Sequence, residues 1–197
     1  MLSIFLSFVR NKNAFLRGLE LIAISYCQGL QYTNWFAAPP HKIVIAGNHE
    51  TGFDSPHSFC EGTYRGYKLL TNCTYLRTRS QKCMEFVSTE PLTTFFNIGH
   101  ISTPIDVLMT HTPPLGHMDW VDNSWDKGNV GCPELLNCVE KRIKPKFHVF
   151  GHIHENNGLT TNEETVFVNA SICDDRLNVV NNPIIFDIDL PEGIIKD

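Results

Sequence analysis

Phe147-His148-Val149-Phe150-Gly151-His152-Ile153-His154-Glu155 is a short apolar run that empties into two histidines two positions apart. A run of this kind, closed by glycine, reads as a strand buried on both faces of a sheet. The same grammar occurs twice upstream. Lys42-Ile43-Val44-Ile45-Ala46 runs into Gly47-Asn48-His49-Glu50, and Ile105-Asp106-Val107-Leu108-Met109-Thr110 runs into His111. Open α/β sheets bind ligands beyond the carboxyl ends of their strands. Three strand ends carrying imidazole or amide donors therefore point to one divalent-metal site, and hence to hydrolytic chemistry.

The donor types narrow the metal. Asn48 offers an amide oxygen, and His111, His152 and His154 offer imidazole nitrogens. That mixed set suits manganese, iron or zinc better than calcium. A two-metal hydrolase holds its ions roughly 3.5–4 Å apart, and no single helix could surround both. Gly47 and Gly151 lack a Cβ, so the backbone can turn sharply where each strand delivers its ligands. On an extended segment His152 and His154 would point the same way. His49 directly follows a ligand and so turns elsewhere; there it could protonate a leaving group near neutral pH. The remaining histidines (41, 57, 100, 117, 148) are assigned to surface or packing. His148 lies inside a strand and reads as a core histidine, while His117 is a secondary candidate for the site wall.

A chain of 197 residues with 42% apolar content fits one medium domain. The net charge of −5 offers no electrostatic footprint for nucleic acid or an anionic membrane, and neither is an expected partner. Seven cysteines without CxxC spacing fit a reduced, cytoplasmic chain better than a disulfide framework. The apolar start, Met1 to Val9, precedes its charges, Arg10 and Lys12. That order is wrong for a signal peptide, and the stretch is too short to span a bilayer. It is expected, like Leu19 to Cys27, to pack as helix on the domain.

Residues 10–30 read as weakly amphipathic helix. Pro39-Pro40 stops whatever precedes the first strand. Cys73-Thr74-Tyr75-Leu76 reads as strand, and residues 77–104 show no clear period. Pro113-Pro114-Leu115-Gly116 is a tight loop. Pro133 to Ile143 reads as an amphipathic helix with Leu135, Leu136, Val139 and Ile143 on one face. Thr165-Val166-Phe167-Val168 and Ile184-Ile185-Phe186 are further strands. Strands alternating with a helix, then strands again, predict an α/β sandwich.

At these motifs the chain resembles the calcineurin-like metallophosphoesterases, and within them the animal metallophosphoesterase domain-containing proteins. The likeness rests on residues 42–50, on His111-Thr112-Pro113-Pro114-Leu115-Gly116, on residues 130–136 and 148–155, and on Val168-Asn169-Ala170-Ser171. It covers roughly 38–76 and 104–190. The resemblance implies a four-layer α/β sandwich and hydrolysis of phosphate esters, mostly phosphodiesters, by a metal-activated hydroxide. The implied substrate is a small phosphoester or a nucleotide. Carried over by position, Asn48, His111 and His152 would hold the second metal and His154 the first, with His49 protonating the leaving oxygen.

The family's first two motifs, Asp-x-His and Gly-Asp, do not occur in this sequence. The first aspartate is Asp54, and the only acid upstream of Asn48 is Glu20. Two adjacent dications without a bridging carboxylate lack charge compensation. One metal instead of two is therefore expected, with activity weak or lost, unless Glu20, Asp54, Asp106 or Asp119 substitutes. The chain reads as a shortened form: residues 1–35 a divergent segment, and 36–197 a partial metallophosphoesterase domain lacking the first strands of its sheet. The alternative is a non-catalytic pseudoenzyme that keeps one metal or a nucleotide as a scaffold.

Overall fold

The computed structural model describes residues 3–10, 19–25, 41–45, 74–75, 84–87, 104–123, 127–174, 176 and 178–187. The strands are β1 (Ser3–Arg10), β2 (Leu19–Ser25), β3 (His41–Val44), β4 (Thr74–Tyr75), β5 (Met84–Val87), β6 (Val107–Thr110), β7 (Trp120–Asp122), β8 (Lys127–Asn129), β9 (Phe147–Phe150), β10 (Gly158–Thr161), β11 (Val166–Asn169) and β12 (Ile184–Asp187). Helix α1 (Pro133–Cys138) lies between β8 and β9 and runs on into a wider π turn, Val139–Ile143. The chain is thus α/β, with two larger sheets and a small β7–β8 ribbon. The first sheet has the order β12-β1-β2-β3-β4 and the second β10-β11-β9-β6-β5.

Alternation along the second sheet builds two cores. Val107, Met109, Val149 and Val168 face the first sheet and bury Ile45 and Phe186 with them. Phe147 of β9 stacks on Phe186 of β12 with ring centroids 4.2 Å apart, which joins the two sheets directly. The intervening residues Leu108, Phe150 and Phe167 face outward onto Leu135, Val139 and Ile143. The layers are therefore sheet, sheet, helix. Each fully buried Leu, Ile, Val or Phe contributes about 1.5–3 kcal/mol. β6 is buried at all four positions, which is why it reads as a continuous apolar run.

Within the helix expected over 10–30, the described residues, Arg10 and Leu19–Ser25, are strand. Leu19–Ser25 pairs antiparallel with β1 and parallel with β3. Ile22 and Ile24 are β-branched and favour the pleat, and backbone groups on either side are satisfied by neighbours. The start of the chain, expected to be helical, is likewise strand: β1 pairs with β12. The place beside β3 is filled by β2, so the divergent segment 1–35 supplies a strand where the first strands of the sheet are missing. Unforeseen elements are β5, β10 and the β7–β8 ribbon. The helix expected at 133–143 is present. Its N-cap is Cys132, whose sulfur accepts from the Leu135 N–H at 3.4 Å, and Pro133 begins its first turn.

The segment from Pro113 to Cys132 is closed by one buried carboxylate. Asp119 accepts from the Gly131 N–H at 2.8 Å and from the Asn129 amide. Gly131 also lies against Pro114: a Cβ there would meet the Pro114 carbonyl oxygen at 2.4 Å and its carbon at 2.6 Å. Backbone cannot yield as a side-chain tip can. Gly131→Ala is therefore expected to cost about 3 kcal/mol, read as a lower urea midpoint at unchanged slope. An unchanged midpoint would contradict this packing.

His148 is the core histidine that its place in a strand predicts, with no exposure. Its Nε2 lies 2.9 Å from Thr110 Oγ1, which itself donates to the Thr112 carbonyl. The hydroxyl proton is thus committed, so Nε2 carries the imidazole proton and donates to the hydroxyl oxygen. Among the described residues Nδ1 has no hydrogen-bond partner. Burial, helped by the nearby His117, pushes the pKa down to about 3. No helix among the described residues is long and apolar enough to cross a membrane.

Candidate metal centre at the strand ends

β6 and β9 are parallel neighbours, with Val107, Leu108 and Met109 opposite Phe147, His148 and Val149. Parallel pairing sends both chains out at the same end of the sheet. The ladder continues one step past the strands, where the Gly151 N–H donates to the His111 carbonyl at 3.0 Å. This places the His111 and His152 rings together, with centroids 4.8 Å apart in an edge-on arrangement. His111 is 4% exposed and His152 is half-buried.

The segment after Gly151 is not extended, contrary to the expectation that His152 and His154 share one side of it. His152 has φ 69°, and the Ile153 N–H donates back to the Gly151 carbonyl at 2.7 Å. That is a γ-turn centred on His152, a rare and strained form for a residue with a Cβ. The sharp turn assigned to Gly151 thus falls on the histidine itself. His154 opens a single 3₁₀ turn, His154–Asn156. Its Nδ1 lies 2.9 Å from the Asp174 carbonyl oxygen. A carbonyl only accepts, so Nδ1 carries a proton and donates to it, which fixes the orientation of the ring. Asp174 is held in turn, accepting from the Arg176 and Asn178 N–H groups. The Asn178 hydrogen bonds keep its carboxyl below the usual range.

Asn169, at the end of β11, pins this loop. It is fully buried, donates to the Ile153 carbonyl at 2.8 Å and accepts from the Ser171 N–H at 3.1 Å. Asn157 closes the other side, donating to the carbonyls of Asn169 and Ser171. The glycosylation sequon Asn169-Ala170-Ser171 is thus internal structure. Asn169→Ala leaves two buried groups unpaired and is expected to cost about 2 kcal/mol in chemical denaturation. It should also weaken metal retention, because the turn carrying His152 loses its anchor. Wild-type unfolding of the variant would show the anchor to be dispensable. Asn169, Asn157 and Asp174 are not apparent as site residues from spacing; the signal for Asn169 is an Asn-Ala-Ser run directly after a strand.

Asn48 and His49 lie outside the described residues, three and four positions past the buried Ile45. The carboxylates Glu20 and Asp54 are not described as side chains. Asp119 is engaged with Gly131, and Asp106 pairs with Lys146 at 2.8 Å. Neither joins the histidines as a bridging carboxylate. His117 does not line this site either. It stacks on Phe167 at 3.6 Å, its Nδ1 is 2.9 Å from Thr160 Oγ1, and Glu140 lies 3.9 Å from its other nitrogen. Burial lowers its pKa against the pull of Glu140 and Asp119. Among the described residues no three His, Cys, Asp or Glu side chains gather as a metal cage. The described donors that meet are two imidazoles, with His154 two positions further along the chain. This set fits a cation that takes further donors from elsewhere.

No protein-family model matches the chain. A UPF0046 protein of Caenorhabditis elegans is 48% identical over 183 residues, which is 79% of this chain and 64% of that protein. Metallophosphoesterase domain-containing protein 1 of Homo sapiens is 35% identical over 198 residues, 83% of this chain and 60% of its own length. A second UPF0046 protein of the nematode is 36% identical over 187 residues, 75% of this chain and 46% of its own length. The chain spans less than two thirds of each of these relatives.

Proposed function

Since the chain is related to the metallophosphoesterase domain-containing proteins, we propose that it derives from a metal-dependent phosphoester hydrolase and keeps that site in reduced form. The observation that carries this reading is the meeting of His111 and His152 beyond the ends of two adjacent parallel strands. His111, His152 and Asn48 would hold one divalent ion, manganese, iron or zinc, and His154 would hold a second where one binds. A bound ion would activate water and offset the charge that develops on the phosphoryl group. His49 would protonate the leaving oxygen of a small phosphodiester or nucleotide. The architecture would be the four-layer α/β sandwich of this kinship. Cys132 and Cys138 are free thiols, which favours a reducing compartment such as the cytoplasm.

A second reading, a pseudoenzyme that binds one metal or a nucleotide without turnover, is favoured by one observation. Both described candidates for a bridging carboxylate, Asp106 and Asp119, are committed elsewhere. One experiment separates the two. The chain is purified in manganese, its metal is counted by plasma mass spectrometry, and hydrolysis of bis(4-nitrophenyl) phosphate is measured. Metal with turnover supports the hydrolase. Metal without turnover supports the pseudoenzyme. No metal at all sinks both metal-based readings.

A further inference from the structure

Past β11 the chain folds back on itself between Ile172 and Asn181. The N–H groups of Val180 and Asn181 both donate to the Ile172 carbonyl, at 2.9 and 3.0 Å, and the Asp174 N–H donates to the Asn178 carbonyl at 3.0 Å. Cys173 is bridged antiparallel to Val179. The base of this hairpin is tied down by the side-chain amides of Asn157 and Asn181, which both donate to the Ser171 carbonyl. Its two arms are held unequally. Ile172 and Cys173 are buried, whereas Val179 is 65% and Val180 58% exposed. Burial therefore fixes the inner arm only as far as Cys173, and the tip beyond it depends on polar bonds.

Asp174 supplies those bonds at the point where burial stops. Its Oδ1 accepts from the Arg176 N–H at 2.9 Å and from the Asn178 N–H at 2.8 Å, and its Oδ2 accepts from the Asn178 side-chain amide at 3.0 Å. A side-chain oxygen that takes N–H groups two and four residues on builds a local turn in place of a backbone acceptor. The turn closes directly after the Asp174 carbonyl and so sets the plane of that peptide group. The same carbonyl oxygen is the one that lies 2.9 Å from His154 Nδ1. Carboxylate and imidazole are thus linked through a single peptide, across twenty positions of sequence.

We propose that Asp174 is a positioning residue for His154: its carboxylate fixes the carbonyl that holds the imidazole in one orientation toward a cation. This rests on the metal reading of the strand-end site and adds to it a residue outside the ligand set. A ligand histidine takes its direction from the bond its other ring nitrogen makes, and loss of such an outer partner typically weakens metal binding by about 10–100-fold.

The test compares the full wild-type chain with Asp174→Ala and Asp174→Asn. Asparagine can rebuild the turn through its side-chain oxygen, and alanine cannot. Nitrogen-15 shifts of the His154 ring are recorded on the metal-free chain in mildly alkaline buffer, where a free imidazole is neutral. Manganese is then titrated by calorimetry, with a thermal melt of each sample to show that it is folded. The expected result is a ring protonated at Nδ1 in the wild type and in Asp174→Asn. In Asp174→Ala the ring should become a mixture of tautomers, with a manganese Kd about tenfold weaker. Asp174→Asn should regain most of that affinity. A ring still fixed at Nδ1 in Asp174→Ala, or an unchanged Kd, overturns the proposal. Equal weakening in both variants overturns it too, because charge and not the turn would then be at work. If the wild-type chain takes up no manganese, the metal reading fails separately and the ring shifts decide alone. A tautomer mixture in Asp174→Ala then upholds the positioning of the ring, and a ring fixed at Nδ1 overturns it.

Discussion

Alanine at His111 or at His152 is expected to strip the chain of its divalent ion and to lower phosphodiester hydrolysis by ~100-fold or more. Under the proposed reading each ring would supply one nitrogen to the ion, and the two rings meet edge-on. Removing either leaves too few donors to hold a cation against water. The two losses should therefore not add: the double variant is expected to match each single one, because the ligands act as a unit. Stability should change less for His152, which is half-buried, than for His111, which is 4% exposed. The check is metal per chain by plasma mass spectrometry, beside a thermal melt of the same samples. Wild-type metal content in both single variants would reduce the ring pair to a packing contact.

Acid is expected to unfold the chain by way of His148, with an effect of roughly 5 kcal/mol across the full titration. In the unfolded chain the imidazole takes up a proton near pH 6.5. In the folded chain it holds its neutral form down to about pH 3. Between those values the unfolded state binds more protons than the folded state, so stability rises with pH. This contribution is complete above about pH 6.5 and falls by about 1.4 kcal/mol for each pH unit below it, down to about pH 3. His148→Leu should flatten that slope, because Thr110 keeps its bond to the Thr112 carbonyl when the imidazole is gone. Urea unfolding of both chains at pH 7.5, 5.5 and 4.5 gives the two slopes. Parallel slopes would mean that His148 does not carry the acid sensitivity.

The sheet that carries the site was legible because its strands are buried on both faces. β6 and β9 announce themselves as apolar runs closed by histidine, and α1 by a leucine-rich face behind Pro133. Residues 3–10 and 19–25 were misread because a short apolar stretch satisfies helix and strand alike. Leu19–Ser25 is decided by β1 and β3 on either side, which no local period records. β10 was missed because Gly158-Leu159-Thr160-Thr161 has little to bury: its residues alternate between half-buried and exposed, and Leu159 is on the exposed side. At the site, residue types pointed to His111 and His152, but not to the backbone that aims them. The γ-turn at His152 and the buried amide of Asn169 are consequences of tertiary packing, invisible in spacing. Asn48 and His49 lie outside the described residues, so their part in the site rests on sequence alone.

The positive φ at His152 also bears on which sequences selection would tolerate there. A left-handed backbone costs a residue with a Cβ roughly 1–2 kcal/mol, and costs glycine almost nothing. For a chain selected on stability alone, glycine would be the favoured replacement at this position. Histidine at this position therefore carries a backbone cost that glycine would not, and the imidazole it brings against His111 is what that cost is set against.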